Sequence, residues 1–271
     1  MGAMHLRDDS LEQFAAHGTT LPPADTSGHV DHDNARIWYA SYGAGPAVVL
    51  LHGGLGHAGN FAHQVEDLRD AGYRVILIDS RGHGRSTRDD RPYSYVLMGQ
   101  DTLAVLDHLG VDHAAFVGWS DGACIALILG DTQPERVDGV LFFACNMDPS
   151  GALPFVPTPV IDNIFGGHMR DYAALSATPH DFKAFADAVG LMQRTQPNYS
   201  AADLAGIHVP VTVLQSEGDE FIRPEHARYL ADTIPGARLV MLPGVTHFAP
   251  LQRPEVFNAA ILDFLATLPA Q

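Results

Sequence analysis

The chain is poor in cysteine and in basic residues, and both shortages narrow the classes of protein to which it can belong. Only two cysteines, Cys124 and Cys145, occur in 271 residues. Two cysteines cannot supply the disulfide framework of a small secreted domain, so we expect both thiols to lie buried in the core. The chain has 16 Lys and Arg residues against 32 Asp and Glu residues, a net charge of −16. This balance argues against nucleic acid and against an anionic membrane surface as partners.

Long hydrophobic runs and targeting signals are missing as well. No 18 consecutive residues are apolar, and the first residues lack the apolar centre of a signal peptide, so the sequence predicts a cytoplasmic protein. Met1-Gly2-Ala3-Met4 contains a second Met, which is typical of a cloning remnant, and these residues take no part in the fold prediction. The 15 histidines match neither the His-Glu-x-x-His pattern nor a Cys/His zinc spacing. We therefore expect neither a metal nor a cofactor.

The apolar residues that are present, 46% of the chain, follow an alternating pattern. Short apolar runs of strand length alternate with helical patterns, which is typical of an α/β fold with a mostly parallel, twisted sheet and helices on both faces. A β-hairpin at the edge of the sheet, with its turn at Asp33 and Asn34, is expected before this region. The predicted strands are 28–33, 35–42, 47–51, 74–79, 114–117, 137–145, 210–216 and 238–242, and the predicted helices include 94–109, 224–234 and 254–268.

Residues 147–206 interrupt the alternation with several prolines and short helical patterns but no apolar strand. A loop of roughly 60 residues is rare in a compact domain, so the sequence predicts a helical cap inserted into the core. The predicted core is 28–146 and 207–271, and residues 1–27 are predicted to form an arm laid on the surface. Phe155 and Phe165 of the cap are candidate pocket residues, although most apolar cap residues can simply hold the cap together.

One short motif marks a candidate nucleophile. The five residues Gly118-Trp119-Ser120-Asp121-Gly122 match the pattern Gly-x-Ser-x-Gly between a predicted strand and a helical pattern. In a nucleophile elbow the serine occupies a strained strand-to-helix turn, and its neighbours must be small because other backbone passes close by. The motif therefore predicts Ser120 as the nucleophile.

A serine hydroxyl needs a base to take its proton, and the base needs a carboxylate to orient it. Asp219 follows the predicted strand 210–216, and His247 follows the predicted strand 238–242. Because the carboxyl ends of parallel strands meet at one edge of a sheet, we expect both residues to lie near Ser120. Asp148, which follows the strand before the cap, and Asp121, adjacent to the nucleophile, are the alternative acids.

These motifs together resemble the α/β-hydrolase superfamily from about Gly28 to the end of the chain. The resemblance is in particular to small cap-bearing members of the epoxide-hydrolase-like, haloperoxidase-like and C–C hydrolase type. His52-Gly53-Gly54 is similar to the family's oxyanion loop, and residues 79–86 are similar to its D-x-R-G-x-G-x-S turn. The elbow is similar to that of valacyclovir hydrolase-type esterases. Epoxide hydrolases and haloalkane dehalogenases of this group use an aspartate nucleophile, so Ser120 argues against both chemistries.

The resemblance also implies roles for the residues around the nucleophile. The oxyanion hole is expected to use the backbone N–H of Asp121 and one from the loop at Gly54 or Leu55. Trp119 and Phe248 are predicted to bind substrate with the two cap phenylalanines, and plain packing is the alternative for Trp119. The Asp121 side chain either faces the pocket, where it would favour cationic acyl groups, or lies hydrogen-bonded behind the elbow.

The function predicted from these residues is a cofactor-independent serine hydrolase that cleaves a small carboxylic ester or lactone through an acyl-enzyme on Ser120. The expected partner is a small ester-like substrate, and the protein is expected to be a monomer or a homodimer. A C–C bond hydrolase or a cofactor-free perhydrolase is the enzymatic alternative, because the same residues serve those reactions. A small-molecule receptor on the same fold is the alternative from another class.

Overall fold

The computed structural model describes residues 9–269, so residues 1–4, interpreted above as a cloning remnant, and the rest of the first eight lie outside the described residues. The described part forms eight strands and ten α-helices. The strands are β1 (Thr26–His32), β2 (Ala35–Tyr42), β3 (Ala47–Leu51), β4 (Arg74–Ile78), β5 (Ala114–Trp119), β6 (Val137–Phe143), β7 (Val211–Gly218) and β8 (Arg238–Thr246).

All eight strands belong to one sheet in the order β1-β2-β4-β3-β5-β6-β7-β8. Strand β2 pairs antiparallel with β1 and β4, and every other neighbouring pair is parallel. The predicted hairpin is present, and Asp33 and Asn34 turn it with φ of 44° and 62°. Two successive positive φ angles suit the tight turn that matches the twist of the flanking strands. The mostly parallel α/β fold predicted from the sequence is confirmed.

The helices lie along both faces of this sheet, and the pattern of β3 explains why. Its five apolar residues are all buried, with Val49 and Leu51 in one apolar cluster and Val48 and Leu50 in a second. Because strand side chains alternate, a continuous apolar run requires cover on both faces. The helices are α1 (Asp9–His17), α2 (Ala62–Asp70), α3 (Tyr95–His108), α4 (Asp121–Thr132), α5 (Pro159–Leu175), α6 (Phe182–Thr195), α7 (Ala201–Ala205), α8 (Pro224–Thr233), α9 (Ala249–Gln252) and α10 (Pro254–Leu265).

The sequence pattern did not indicate helix α1, which lies in the predicted arm. Leu11 and Phe14, three residues apart, lie on one side of this helix and are buried. The Phe14 ring packs edge-on against His168 of α5, with ring centroids 5.8 Å apart. A helix with one buried turn gives only a weak periodic signal, because two apolar residues are too few to define a stripe.

Residues 147–206, which we call the cap segment, lie between β6 and β7 and contain α5, α6 and α7. Beyond the cap segment, β8 extends further than predicted, to Thr246. After a register shift near Ser216, residue Gly218 pairs with Thr246. The pairing of Gly218 with Thr246 places the next residues of the two strands, Asp219 and His247, side by side. The two cysteines are buried, as expected, and their Sγ atoms lie 3.1 Å apart. No helix within residues 9–269 combines the length and the apolar character needed to cross a bilayer.

Candidate active site

Ser120 occupies a sharp turn between β5 and α4. Its φ of 54° and ψ of −122° are an unfavourable combination for a residue with a side chain. The flanking glycines make the turn possible, because a Cβ on Gly118 would collide with Ala123 and one on Gly122 would collide with the carbonyl of Leu51. The elbow is therefore pressed against the end of β3, which holds the strained residue in place.

The loop after β3 lies directly beside this turn. A Cβ on Gly53 would lie 3.2 Å from the Cβ of Ser120. The next strained residue is Leu55, with φ of 63°. His52 fixes the start of the loop, because its Nδ1 donates to the carbonyl of Gly53 at 2.8 Å and its Nε2 accepts from the N–H of Ser80 at 3.0 Å. Burial lowers the pKa of His52 to about 4, which keeps the imidazole in the neutral form that both bonds require.

Asp219 and His247 form a hydrogen-bonded pair at the same edge of the sheet. The Nδ1 of His247 lies 3.1 Å from each carboxylate oxygen of Asp219, whose side chain is 1% exposed. Asp219 also accepts from the N–H groups of Phe221 and Ile222, each at 2.9 Å. Because Nδ1 donates to the carboxylate, Nε2 is the nitrogen left to act as an acceptor.

The environment of His247 favours its charged form. Burial lowers the pKa of this imidazole, but the charge and hydrogen bond of Asp219 and the charges of Glu220 and Asp121 outweigh burial and raise the pKa above its ordinary 6.5. Glu220 was not among the predicted site residues. Its Oε2 accepts from the backbone N–H of His247 at 3.0 Å. The only sequence signal for Glu220 was its position next to the predicted acid.

Trp119 lies beside His247 and next to the predicted nucleophile in the chain. The Trp119 ring lies 6.2 Å from the ring of His247 and 6.2 Å from that of Phe248, between centroids. Trp119 directly precedes Ser120, so the structure brings the predicted nucleophile, acid and base to one region at the carboxyl edge of the sheet.

The alternative acid, Asp148, instead accepts from the backbone N–H of Ser150 at 2.8 Å, and the geometry favours Asp219.

A row of aromatic rings leads away from His247. Phe248 is buried against His247. Phe221 also packs edge-on against His247, with ring centroids 4.7 Å apart. Phe155 lies 6.2 Å from Phe221 and stacks on Phe165 at 6.2 Å with nearly parallel rings. Phe155 is 57% exposed. The two predicted cap phenylalanines are thus connected to the histidine through Phe221, which sequence reasoning missed because it lies outside the cap segment.

The side chain of Asp121 is buried and 6% exposed. Tyr95 donates its hydroxyl to Oδ1 at 2.9 Å, and the amide of Gln193 lies 3.1 Å from both oxygens. Burial raises the pKa of Asp121 to about 6. Both oxygens are occupied by neutral donors, so the structure favours the hydrogen-bonded alternative over a free charge that would select cationic substrates.

Across residues 9–269, no group of three or more His, Cys, Asp or Glu side chains is arranged to hold a metal ion. Several of the histidines instead occupy defined places in loops. His57 caps the N-terminus of the short 3₁₀ helix Ala58–Phe61, where its Nδ1 accepts from the N–H of Gly59 at 3.1 Å. His83 donates from Nδ1 to the carbonyl of Arg81 at 3.0 Å. These side chains organise the loops around the sheet edge.

Comparison with known proteins agrees with this fold. A family model for the alpha/beta hydrolase fold matches residues 46–196. Rhodomycin D methylesterase DauP from Streptomyces sp. strain C5 is 30% identical over 86% of this chain and 95% of its own length. A putative carbamate hydrolase RutD from Caulobacter sp. strain K31 is 29% identical over 84% of this chain and 95% of its own length. The structure of Est816, an N-acyl homoserine lactone degrading enzyme, is 30% identical with a TM-score of 0.68, covering 88% of this chain and all of that one. The chain belongs to the alpha/beta hydrolase family and is a hydrolase of that type.

Proposed function

We propose that the protein is a cofactor-independent serine hydrolase that cleaves a small carboxylic ester or lactone through an acyl-enzyme on Ser120. The observation that carries this proposal is the strained φ of 54° at Ser120 at the end of β5, beside a buried pair in which His247 Nδ1 lies 3.1 Å from Asp219. A strained, partly exposed serine beside an oriented base is the arrangement that an activated serine needs.

The first half of the reaction forms the acyl-enzyme. His247 takes the hydroxyl proton of Ser120 on Nε2 while Asp219 holds Nδ1–H and stabilises the imidazolium. The Ser120 Oγ attacks the carbonyl carbon, and the carbonyl electrons move onto the oxygen. The backbone N–H of Asp121 and one from Gly54 or Leu55 stabilise this oxyanion. The intermediate collapses, and His247 gives its proton to the departing alkoxide.

The second half releases the acid. Water takes the place of the alcohol, and His247 removes a proton from it as it attacks the acyl carbon. The bond to Oγ breaks, Ser120 regains its proton from His247, and the carboxylic acid leaves. For a lactone the alcohol stays attached to the acyl chain, so the same steps open the ring.

The proposed substrate class has two supports. The relatives named above include a methylesterase and an enzyme that degrades N-acyl homoserine lactones, which are cyclic esters. The aromatic row from His247 through Phe221 to Phe155 offers an apolar surface beside the base. Such a surface suits an apolar acyl or alcohol group, while the polar groups at the turn orient the carbonyl.

The test is Ser120→Ala assayed with p-nitrophenyl acetate. Turnover should fall by at least about 10⁴-fold, because the alanine cannot form the acyl-enzyme. The thermal unfolding midpoint should stay at the wild-type value, since the change removes one oxygen from a partly exposed residue. Ser27→Ala, at an exposed position on β1, is the control and should keep wild-type turnover.

A wider panel of activated esters graded by acyl length and charge should then identify the preferred acyl group. Turnover by Ser120→Ala within tenfold of wild type would contradict the assignment of the nucleophile. Tight binding of esters without any turnover by the wild-type protein would contradict the enzyme proposal and favour a receptor.

A further inference from the structure

The carboxylate of Asp121 joins three helices beside the proposed nucleophile. Asp121 opens α4, Tyr95 opens α3, and Gln193 lies near the end of α6 in the cap segment. The Gln193 amide lies 3.1 Å from each oxygen of Asp121, and the Tyr95 hydroxyl lies 2.9 Å from Oδ1. Gln193 is exposed as a whole residue, so its amide could hydrogen-bond to water instead. The bridge therefore fixes the conformation of a long side chain at a cost in conformational entropy.

The same bridge presses against the proposed oxyanion loop. A Cβ on Gly54 would lie 2.6 Å from Oδ2 of Asp121 and would collide with Nε2 of Gln193. Only glycine allows the amide and the carboxylate to approach the loop backbone this closely. Leu55, the next residue, has a φ of 63°, and a strained backbone of this kind persists only where its surroundings hold it.

A second bridge from the cap segment reaches the far end of the loop. His57 Nε2 donates to the carboxylate of Asp171, on α5, at 3.2 Å. Burial alone would raise the pKa of Asp171, but the hydrogen bonds and charges of His57 and Arg170 outweigh it and lower the pKa, so the acceptor stays ionised. The loop from Gly53 to His57 is thus held at both ends by residues of the cap segment.

We propose that Gln193 is a positioning residue that holds the oxyanion loop in place by bridging the cap segment to Asp121 against Gly54. This inference rests on the proposed serine hydrolase function. Gln193 acts through Asp121 and the loop backbone, so it affects the stabilisation of the oxyanion and leaves initial substrate binding unchanged. Oxyanion donors are effective only when aimed at the oxygen of the tetrahedral intermediate, and small displacements reduce the rate.

The test is Gln193→Met, which keeps the length and volume of the side chain and removes its donor. With p-nitrophenyl acetate, kcat should fall by about 10- to 100-fold, while KM and the thermal unfolding midpoint stay at their wild-type values. Arg194→Met, at the adjacent exposed position of α6, is the matched control and should leave kcat unchanged. A purely structural role for Gln193 would lower the unfolding midpoint without this separation of kcat from KM.

A double variant tests whether Gln193 acts through Asp121. Asp121→Asn is isosteric and turns an amide nitrogen toward the Gln193 donor, so it weakens the same bridge. Asp121→Asn combined with Gln193→Met should therefore lose no more kcat than the more impaired single variant. Additive losses, a kcat for Gln193→Met within twofold of wild type, or a change confined to KM would each overturn the proposal. These outcomes are separable from failure of the proposed function, which is measured by Ser120→Ala alone.

Discussion

At the scale of single residues, the surroundings of His247 combine opposing influences. Burial disfavours the imidazolium, while Asp219, Glu220 and Asp121 favour it, and the net effect raises the pKa of His247 above 6.5. In the proposed mechanism His247 is the general base, which must be neutral to accept a proton. Protonation of His247 therefore removes the active form, and kcat/KM is expected to fall as the pH decreases through this raised pKa.

Glu220→Gln should move that acid limb to lower pH. The change removes a negative charge that stabilises the imidazolium, while the new amide oxygen can still accept from the backbone N–H of His247. The measurement is kcat/KM for p-nitrophenyl acetate between pH 5 and about 9, a range that spans the usual titration of histidine. Glu217→Gln, at an exposed position near the end of β7, is the control and should keep the wild-type profile. An unshifted acid limb for Glu220→Gln would contradict this role.

At the scale of elements, α1 and α5 hold the N-terminal part of the described chain against the cap segment. The Phe14 side chain is 1% exposed and packs against His168. Arg170 donates to the carbonyls of Ala15 at 2.8 Å and Phe14 at 3.2 Å, which lie in the last turns of α1. The Phe14 carbonyl also accepts from the backbone N–H of Gly18 at 2.8 Å. Arg170 therefore adds a cation at the C-terminal end of α1, where the helix dipole favours positive charge.

Phe14→Ala should therefore destabilise the protein. Truncating a fully buried phenylalanine removes its transfer free energy and leaves a cavity, so the free energy of unfolding should fall by about 3–5 kcal/mol. Urea unfolding followed by circular dichroism measures this change. The exposed neighbour Gln13 provides the control, and Gln13→Ala should change stability by less than about 0.5 kcal/mol. A loss below about 1 kcal/mol for Phe14→Ala would mean that α1 contributes little to the fold.

At the scale of the whole molecule, buried neutral histidines connect stability to pH. Burial lowers the pKa of His52 to about 4 and that of His83 and His168 to about 3. In the unfolded chain these groups take up protons as the pH falls below about 6.5. Between about pH 6.5 and 4 the unfolded state binds more protons than the folded state, so the free energy of unfolding decreases as the pH decreases.

His168→Gln should reduce this pH dependence by about one proton. Over this range the free energy of unfolding should then fall less steeply by about 1.4 kcal/mol per pH unit. Urea unfolding at several pH values from 6.5 to about 4 gives the slope. The slope is the readout because the substitution also changes absolute stability. His180→Gln, at an exposed position, should keep the wild-type slope, and an equal slope for His168→Gln would show that His168 is not held neutral by burial.

The sequence predicted the parts of this protein that follow from local pattern. The buried strand Ala47–Leu51, the turn at Asp33 and Asn34, and the small residues around Ser120 each reflect backbone geometry or burial within a few residues. Asp219 and His247 were also predictable, because parallel strands end at the same edge of the sheet. The short helix α1 was not predictable, because Leu11 and Phe14 become buried only when α1 packs against other parts of the fold, such as His168 of α5.

The tertiary structure alone decided which side chains meet across the site. Gln193 and Asp121 are 72 residues apart, and no local pattern relates an amide on one helix to a carboxylate at the start of another. The same holds for Asp171 with His57, 114 residues apart, and for the position of Phe221 against His247. The physical reason is that periodicity encodes which face of an element is buried, whereas these contacts depend on how the cap segment and the core pack together.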